Sequence, residues 1–417
     1  MSLSKLHDDD DYLPPTKPKF TRIELDKLNE EVREISALSE DTKLLQKTAQ
    51  EFKDFLIKLL KEFYQKQWDT FEGYEESFPF DVEIYTFGSC AANLNTRSSD
   101  LDFIVRSDSF TKLNWLIQCA KVSNMSDHRV AYEGLHFIRK LIRDKQEKKY
   151  WYVQLLKGKV PVLQYEHNLV RVNEVNKGSK LKLKIDVTFN KMDGVRNTQL
   201  LRWYTQLSPR FAILCRAVKN WAHQNKVEDS VHGRLNSFSL SLMLINFLQV
   251  ASPPVLPVAF DVYPELEDEL NKIPQDYHKR NVLEVRGWEM WKSSNTASVG
   301  QLYFEFMDYY SRFDWENNYV SVRTGKVLPR GEQEFKTNSK QDKKQLMVVE
   351  DPIIEPPFNC AGTVRDQSLY EHIIQKFNAA RDLIEEQKSV YMMHRLQRSF
   401  NRKPTIENLD TSPVDQY

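Results

Sequence analysis

The chain has 417 residues, 41% of them hydrophobic and 12% aromatic, with 59 Lys+Arg balanced by 59 Asp+Glu. At about 100–200 residues per domain that length implies two or three domains and excludes a disordered or disulfide-stapled chain. The zero formal net charge excludes coating of nucleic acid by bulk charge, while leaving room for a local basic groove. With only 12 glycines, no G-x-G-x-x-G and no G-x-x-x-x-G-K-S/T, the usual glycine-rich phosphate cradles are excluded as well.

In chain order, residues 1–20 are acidic and proline-bearing and are expected to be disordered, with no secretory signal. A helical pattern runs from Ile23 to Trp68, where Phe52, Phe55, Leu56, Leu59, Leu60 and Phe63 recur at three- and four-residue steps. DVEIYTFGS predicts a strand entering a turn, and DLDFIV a second strand. Helices are expected over 111–149, including the basic run RKLIRDKQEKK. Strands follow in YWYVQLLKGKVPVLQYEH, NLVRVNEV and KLKLKIDVTFN. Helices return from Asn197 to Phe313. TGKVLPRGEQEFKTNSKQDKK reads as a solvated loop, a last helix is expected from Asp366 to Leu396, and 401–417 as a disordered tail. The most apolar stretch, Phe238–Leu248, is too short for a membrane span. The four cysteines, Cys90, Cys119, Cys215 and Cys360, have neither redox nor zinc spacing and read as free thiols of a reducing compartment.

The expected fold class is therefore α+β. A small mixed-sheet domain at 75–195 is inserted in a discontinuous helical domain built from 21–74 and 196–400, with a cleft between the two.

The chemistry concentrates in Phe87-Gly88-Ser89 and the following Asp100-Leu101-Asp102. Gly88 allows close backbone approach, Ser89 adds a hydroxyl and an N–H, and such a turn can hold a triphosphate. Asp100 and Asp102, two apart on a strand, share one face. Asp186 alternates with Leu183, Ile185, Val187 and Phe189 and so stands opposite the apolar face of its own strand. Three carboxylates beside a phosphate turn match a site for hard divalent cations and two-metal nucleotidyl transfer. Taken singly, a G-S or a D-x-D reads as solvated surface or turn; the ordered conjunction carries the reading.

FGSCAANLNTRSSDLDFIV resembles the signature of DNA polymerase β-like nucleotidyltransferases, and more narrowly that of the non-canonical poly(A) polymerases and terminal uridylyltransferases. NTQLLRWYTQLSPRFAILCRAVKNWAHQNKV, GRLNSFSLSLMLINFLQ, SVGQLYFEFMDYYSRFDWENNYVSVRTGK and EDPIIEPPFNCAGTV follow in the family's order, so the resemblance covers about residues 50–365. It implies a nucleotidyltransferase catalytic domain within a poly(A)-polymerase-associated helical domain. It also implies metal binding by Asp100, Asp102 and Asp186, with two Mg²⁺ or Mn²⁺ ions as cofactors. Gly88, Ser89, Lys219 and Ser237 would contact the triphosphate, Asn197 the ribose 2′-OH, and Phe238 would stack on the base. His223 stands where a second phosphate lysine is frequent. The recognition motif contains Asp351, and it has Phe358 where uridylyltransferases carry a uracil-selecting His.

The resemblance leaves the base open between U, A and a mixture. A pocket accepting U with a purine, as in nematode-type poly(UG) polymerases of RNA silencing, is the reading preferred here; a poly(A) polymerase is the alternative. Arg139, Lys140 and Arg143 are the candidate RNA contacts, weighed against a solvated helix face. Expected partners are single-stranded RNA 3′ ends, nucleoside triphosphates and RNA-selecting proteins, with no membrane. The expected location is the cytoplasm, RNA granules included, with the nucleus open. A second-messenger synthase and a catalytically dead scaffold are the rival classes. The helical segments with the EDP motif argue against the first, and the intact carboxylates against the second.

Overall fold

The computed structural model describes residues 20–37, 42–68, 82–96, 99–107, 126–145, 152–157, 160–170, 180–190, 192–271, 285–331, 334–337 and 345–391. One half of it is a five-stranded sheet of β1 (Glu83–Phe87), β2 (Leu101–Arg106), β3 (Tyr152–Leu156), β4 (Val162–Val170) and β5 (Lys180–Phe189), in spatial order β1-β2-β5-β4-β3. β2 and β5 are parallel and the other pairings antiparallel, so the sheet is mixed.

Strand alternation gives this sheet two unlike faces. Leu101, Phe103, Val105, Leu163, Tyr165, Ile185, Val187 and Phe189 point to one side and are buried under two helices, α2 (Thr42–Trp68) and α4 (Asp127–Asp144). Phe52 of α2 packs its ring 5.1 Å from that of Phe103 and 5.2 Å from that of Tyr165. The opposite face carries a small apolar cluster of Tyr85, Ile104 and Val195. Its middle, around Asp102, Asp186 and Gln164, is polar and faces the helical half of the molecule.

The helical half assembles α1 (Arg22–Ile35), α5 (Asp193–Leu207), α6 (Pro209–Gln224), α7 (Ser237–Val250), α10 (Val299–Ser311) and α11 (Gln367–Gln387) around one continuous core. The short helices α8 (Ala259–Val262) and α9 (Glu265–Asn271) lie between α7 and α10. α7 is buried along nearly its whole length. Its run of apolar residues is therefore that of a helix enclosed on every side; among the described residues no helix is long and apolar enough to cross a membrane. α1 crosses α10 closely at Gly300, where a side-chain carbon would fall 2.4 Å from the Asn29 backbone nitrogen.

Three expectations change. α2, expected among the helical-domain helices, packs on the sheet: its stripe of Phe52, Leu56, Leu59 and Leu60 finds its apolar counterpart there, while α1 alone joins the helical core. The expected solvated loop after Val322 contains a strand, β7 (Lys326–Pro329), paired with β6 (Asn318–Ser321). The Arg330 guanidinium holds this segment by donating to the carbonyls of Asn318, Gln345 and Leu346, so a polar sequence is ordered by polar contacts. The last helix stops at Gln387 rather than Leu396. Lys388 turns left-handed at φ 49°, and the next residues are captured by buried Glu31, which accepts from Ser389 Oγ and from Val390 N at 2.7 Å. The expected disordered termini, 1–19 of the N-terminal stretch and 401–417, lie outside the described residues, as do Cys119 and the strand residues of NLVRVNEV beyond Val170.

Candidate active site

The site is built across the polar face of the sheet. Backbone register places Phe87, Asp102, Asp186, Gln164 and Gln154 in one row over five adjacent strands. Neighbouring strands lie about 4.8 Å apart, so Asp102 and Asp186 stand side by side, and Asp100 is one pleat away, just before β2 begins. The sequence places Asp100 in the strand; pairing begins at Leu101.

Gly88 opens α3 (Gly88–Ala91) directly after β1, at φ +76°. A side-chain carbon there would meet Asp102 Oδ2 at 2.0 Å. The glycine is thus required to leave space for a carboxylate, a different reason from the phosphate approach its motif suggests. Its N–H donates to Thr198 Oγ1 on α5 at 2.8 Å. Asn197, the expected ribose reader, is the residue before that threonine and is half-buried.

The turn that follows α3 is gripped by cations of the helical half. Arg202 donates to the Ala91 carbonyl at 2.9 Å, Arg216 to that of Asn93 at 3.1 Å, and Lys219 to that of Leu94 at 3.5 Å. Lys219 is buried, at 8% exposure, and its charge bears on Asp102. His223, one turn further along α6, is exposed, and its charge bears on Asp100. The helical half therefore brings two of its expected nucleotide residues to the carboxylates of the sheet.

Ser237 and Phe238 open α7 and are half-buried. The α7 N-cap, Asn236, donates to the Cys360 carbonyl at 2.7 Å, tying this end of the helix to the loop that carries Phe358. Phe238 and Phe358 both pack partly against the helical core. Asn359 orders that loop: its amide donates to Gln345 Oε1 and the Met347 carbonyl, and its oxygen accepts from Val349 and Ala361 N. Asp351, expected to contact nucleotide, is buried and spends Oδ1 on the N–H groups of Ile353 and Ile354 and Oδ2 on the Cys360 thiol. Here it shapes the loop.

Arg139, Lys140 and Arg143 are not brought to the carboxylates. They lie on α4, which covers the other face of the sheet; Lys140 and Arg143 are exposed. Gln164, Thr198, Asn236 and Asn359 were not singled out from the sequence. Gln164 had a signal, a polar residue between Leu163 and Tyr165, but strand register was needed to set it beside Asp186.

Crowding three acids on a half-buried face raises their pKa values. Burial first, then the Asp186 charge, pushes Asp100 up to about 6, against Lys184 and His223. Burial, Asp186 and Asp100 drive Asp102 well above the usual carboxylate range, with Lys219 opposing. Asp186 is raised by burial, offset by its hydrogen bond from Gln164 and by Lys184. Burial and Asp102 push the neighbouring Cys90 thiol up to about 12, so it is no thiolate nucleophile. Among the described residues no group of three or more His, Cys, Asp or Glu side chains closes on one ion position. The donor set nonetheless fits a hard divalent cation: three carboxylates, desolvated and mutually repelling, with Asp102 and Asp186 aligned in one row by register and Asp100 beside them.

Asp100→Asn is expected to stabilise the metal-free protein. Between the ordinary carboxylate pKa near 3.9 and about 6, the folded state of the native protein binds the Asp100 proton more tightly than the unfolded chain does. Its stability therefore rises as pH falls through that window. The Asn variant lacks this dependence. Its advantage should be largest at pH 7, on the order of 1–2 kcal/mol after solvent screening, and vanish near pH 4. Thermal denaturation in chelator at pH 4, 5, 6 and 7 reads it.

Two family models match the chain: "Poly(A) RNA polymerase, mitochondrial-like, central palm domain" over residues 32–206 and "Cid1 family poly A polymerase" over 298–355. The chain is 30% identical over 301 residues to Poly(A) RNA polymerase gld-2 homolog A of Drosophila melanogaster, covering 71% of this chain and 20% of that protein. It is 28% identical over 311 residues to Poly(A) RNA polymerase GLD2-A of Xenopus laevis, covering 74% and 52%. The chain thus spans about a fifth to a half of the length of these curated relatives. Among solved structures, the GLD-2/RNP-8 complex matches with TM-score 0.62 at 20% identity over 89% of this chain and 98% of that one. Cid1, solved in a study of its RNA terminal uridylyl transferase activity, matches with TM-score 0.59 at 21% identity over 86% and 94%. Both solved neighbours share the α+β fold, and the two family models fall in the family's order along the chain. The chain belongs to the non-canonical poly(A) polymerase and terminal uridylyltransferase family.

Proposed function

We propose that this protein is a template-independent RNA 3′-terminal ribonucleotidyltransferase. The observation that carries the reading is the Asp102–Asp186 row with Asp100 beside it, held under the Gly88 turn and faced by Lys219 from the helical half. Asp100, Asp102 and Asp186 supply oxygen donors for two Mg²⁺ or Mn²⁺ ions. Such ions, when bound, neutralise phosphate charge and acidify a 3′-hydroxyl for in-line attack. Lys219 adds a fixed cation on the triphosphate side, and Ser89 and Ser237 hydroxyls for its oxygens. Asn197 reads the ribose 2′-OH. His223 takes the place of a second phosphate cation. The sheet unit at about 75–195, with α2 (Thr42–Trp68) packed on it, acts as the catalytic unit and the helical half as the nucleotide-reading unit. Arg139, Lys140 and Arg143 remain candidate RNA contacts, from the far layer of the sheet. RNA-selecting partner proteins supply sequence choice, a reading supported by the solved GLD-2/RNP-8 and GLD-2–GLD-3 complexes.

For the base, Phe238 stacks and Phe358 offers neither donor nor acceptor, which supports relaxed choice: uridylate with a purine, U and G mixed. The poly(A) polymerase names of the relatives support the alternative, tails of A. Incubation with a single-stranded RNA primer, Mg²⁺ and each NTP, alone and mixed, followed by sequencing of the tails, tests both. Tails of A alone from mixed NTPs sink the relaxed-choice reading, and no tail from any NTP sinks the activity.

Two variants follow. Stacking is worth about 1–3 kcal/mol per base, so Phe238→Ala should lower kcat/KM for every NTP by roughly tenfold to a hundredfold. Phe358→His should raise the UTP-to-ATP incorporation ratio by restoring a hydrogen-bonding edge; an unchanged ratio places Phe358 away from the base.

A further inference from the structure

Gln164 lies on the strand row that holds two of the carboxylates, immediately beyond Asp186 and on the side away from Asp102. Its Nε2 donates to Asp186 Oδ1 at 2.9 Å. The residue is half-buried, and its neighbours Leu163 and Tyr165 are locked into the opposite apolar layer at 0% exposure. The strand therefore cannot slip by one residue without burying the amide and exposing those two side chains. The contact is fixed by the backbone.

We propose that Gln164 is a positioning residue for the cation site: its amide captures one oxygen of Asp186 and so turns the other towards Asp102. The inference rests on the metal reading given above. Asp186 sits between a carboxylate on one side and an amide on the other. Left alone, its carboxylate would rotate away from Asp102 and towards solvent or Lys184, because like charges on adjacent strands repel. A neutral donor restrains it without cancelling its charge, so the negative field that attracts a divalent ion is kept. A lysine at the same place would orient Asp186 equally but would discharge it. Partners that orient a metal-binding carboxylate in this way typically contribute 10–100-fold in affinity.

The test is Mn²⁺ binding to the full chain without substrate, read by the loss of the free-ion electron paramagnetic resonance signal. Asp186→Asn is the reference for the metal reading and Gln164→Met removes the donor at similar length. Gln164→Met should weaken Mn²⁺ binding by roughly tenfold or more, with its melting temperature in chelator close to that of the native protein. In transfer assays it should raise the apparent Mg²⁺ constant by a similar factor, while the rate at saturating Mg²⁺ stays within about twofold. A merely structural role would lower the melting temperature and leave the ion dependence alone. If Gln164→Met fails to fold, Gln164→Leu removes the donor without adding charge and should weaken Mn²⁺ binding by a similar factor. If the native protein binds no Mn²⁺, or Asp186→Asn binds it as well as the native protein, the metal reading itself falls. If Asp186→Asn loses Mn²⁺ and a folded Gln164 variant keeps native affinity, only the role of Gln164 falls.

Discussion

Asp102→Asn is expected to abolish RNA tailing while leaving a folded protein. The side chain sits at the centre of the site, with Asp186 beside it in register, Asp100 and Lys219 acting on it electrostatically, and the Gly88 turn over its Oδ2. Asn keeps the shape and removes one negative charge and one acceptor. Electrostatic groups of this kind are typically worth on the order of 10²–10³ in rate each, and a lost cation would cost more. The fold should not suffer, because the native carboxylate is held against its own desolvation and against two like charges; the amide relieves both. Primer-extension rates and thermal melting, measured on the same preparation, give the result. Tailing within tenfold of the native rate would remove Asp102 from the mechanism.

Gly88→Ala is expected to come close to the same loss by a different route. Two penalties meet at this position. The left-handed φ of +76° costs an L-residue about 1–2 kcal/mol. The added carbon would also lie 2.0 Å from Asp102 Oδ2 and 2.9 Å from its Cγ, far inside van der Waals contact, so the carboxylate must swing out of its place. Gly331 separates the two effects: it is also left-handed, at φ +48°, but has nothing within 4 Å of its missing side chain. Gly331→Ala should therefore lose about 1 kcal/mol of stability and keep its tailing rate, whereas Gly88→Ala should lose stability and tailing together. Equal tailing by the two variants would show that Asp102 is free to move.

The comparison of the two glycines shows where sequence reading stops. Phe87-Gly88-Ser89 is legible as a strand-to-turn element, and Asp102 and Asp186 as polar positions alternating with apolar ones, because period-two alternation is written in local order; Asp100 reads the same way but lies just before β2. That Gly88 exists for Asp102 was not legible, since the two are separated by a turn and meet only when β1 pairs with β2. Asp351 shows the converse: its motif suggested a nucleotide contact, but its oxygens are taken up by its own loop.

The helices divide in the same way. α1 and α2 each carry a readable apolar stripe, yet nothing local says that α1 joins the helical core and α2 the sheet; a stripe specifies burial and leaves the partner open. Arg139, Lys140 and Arg143 on α4 are legible as charge, while their placement on the layer away from the carboxylates follows from which face of the helix is apolar against which face of the sheet. Local order was enough for the strands of the large sheet, most helices and the family resemblance, while β7 reads locally as a loop and the last helix as running past Gln387. Tertiary structure decided the row that sets Asp102, Asp186 and Gln164 side by side, and the grip of Arg202, Arg216 and Lys219 on the turn at 91–94. Register and inter-element hydrogen bonds join residues tens to more than a hundred positions apart, and no local periodicity encodes such pairs.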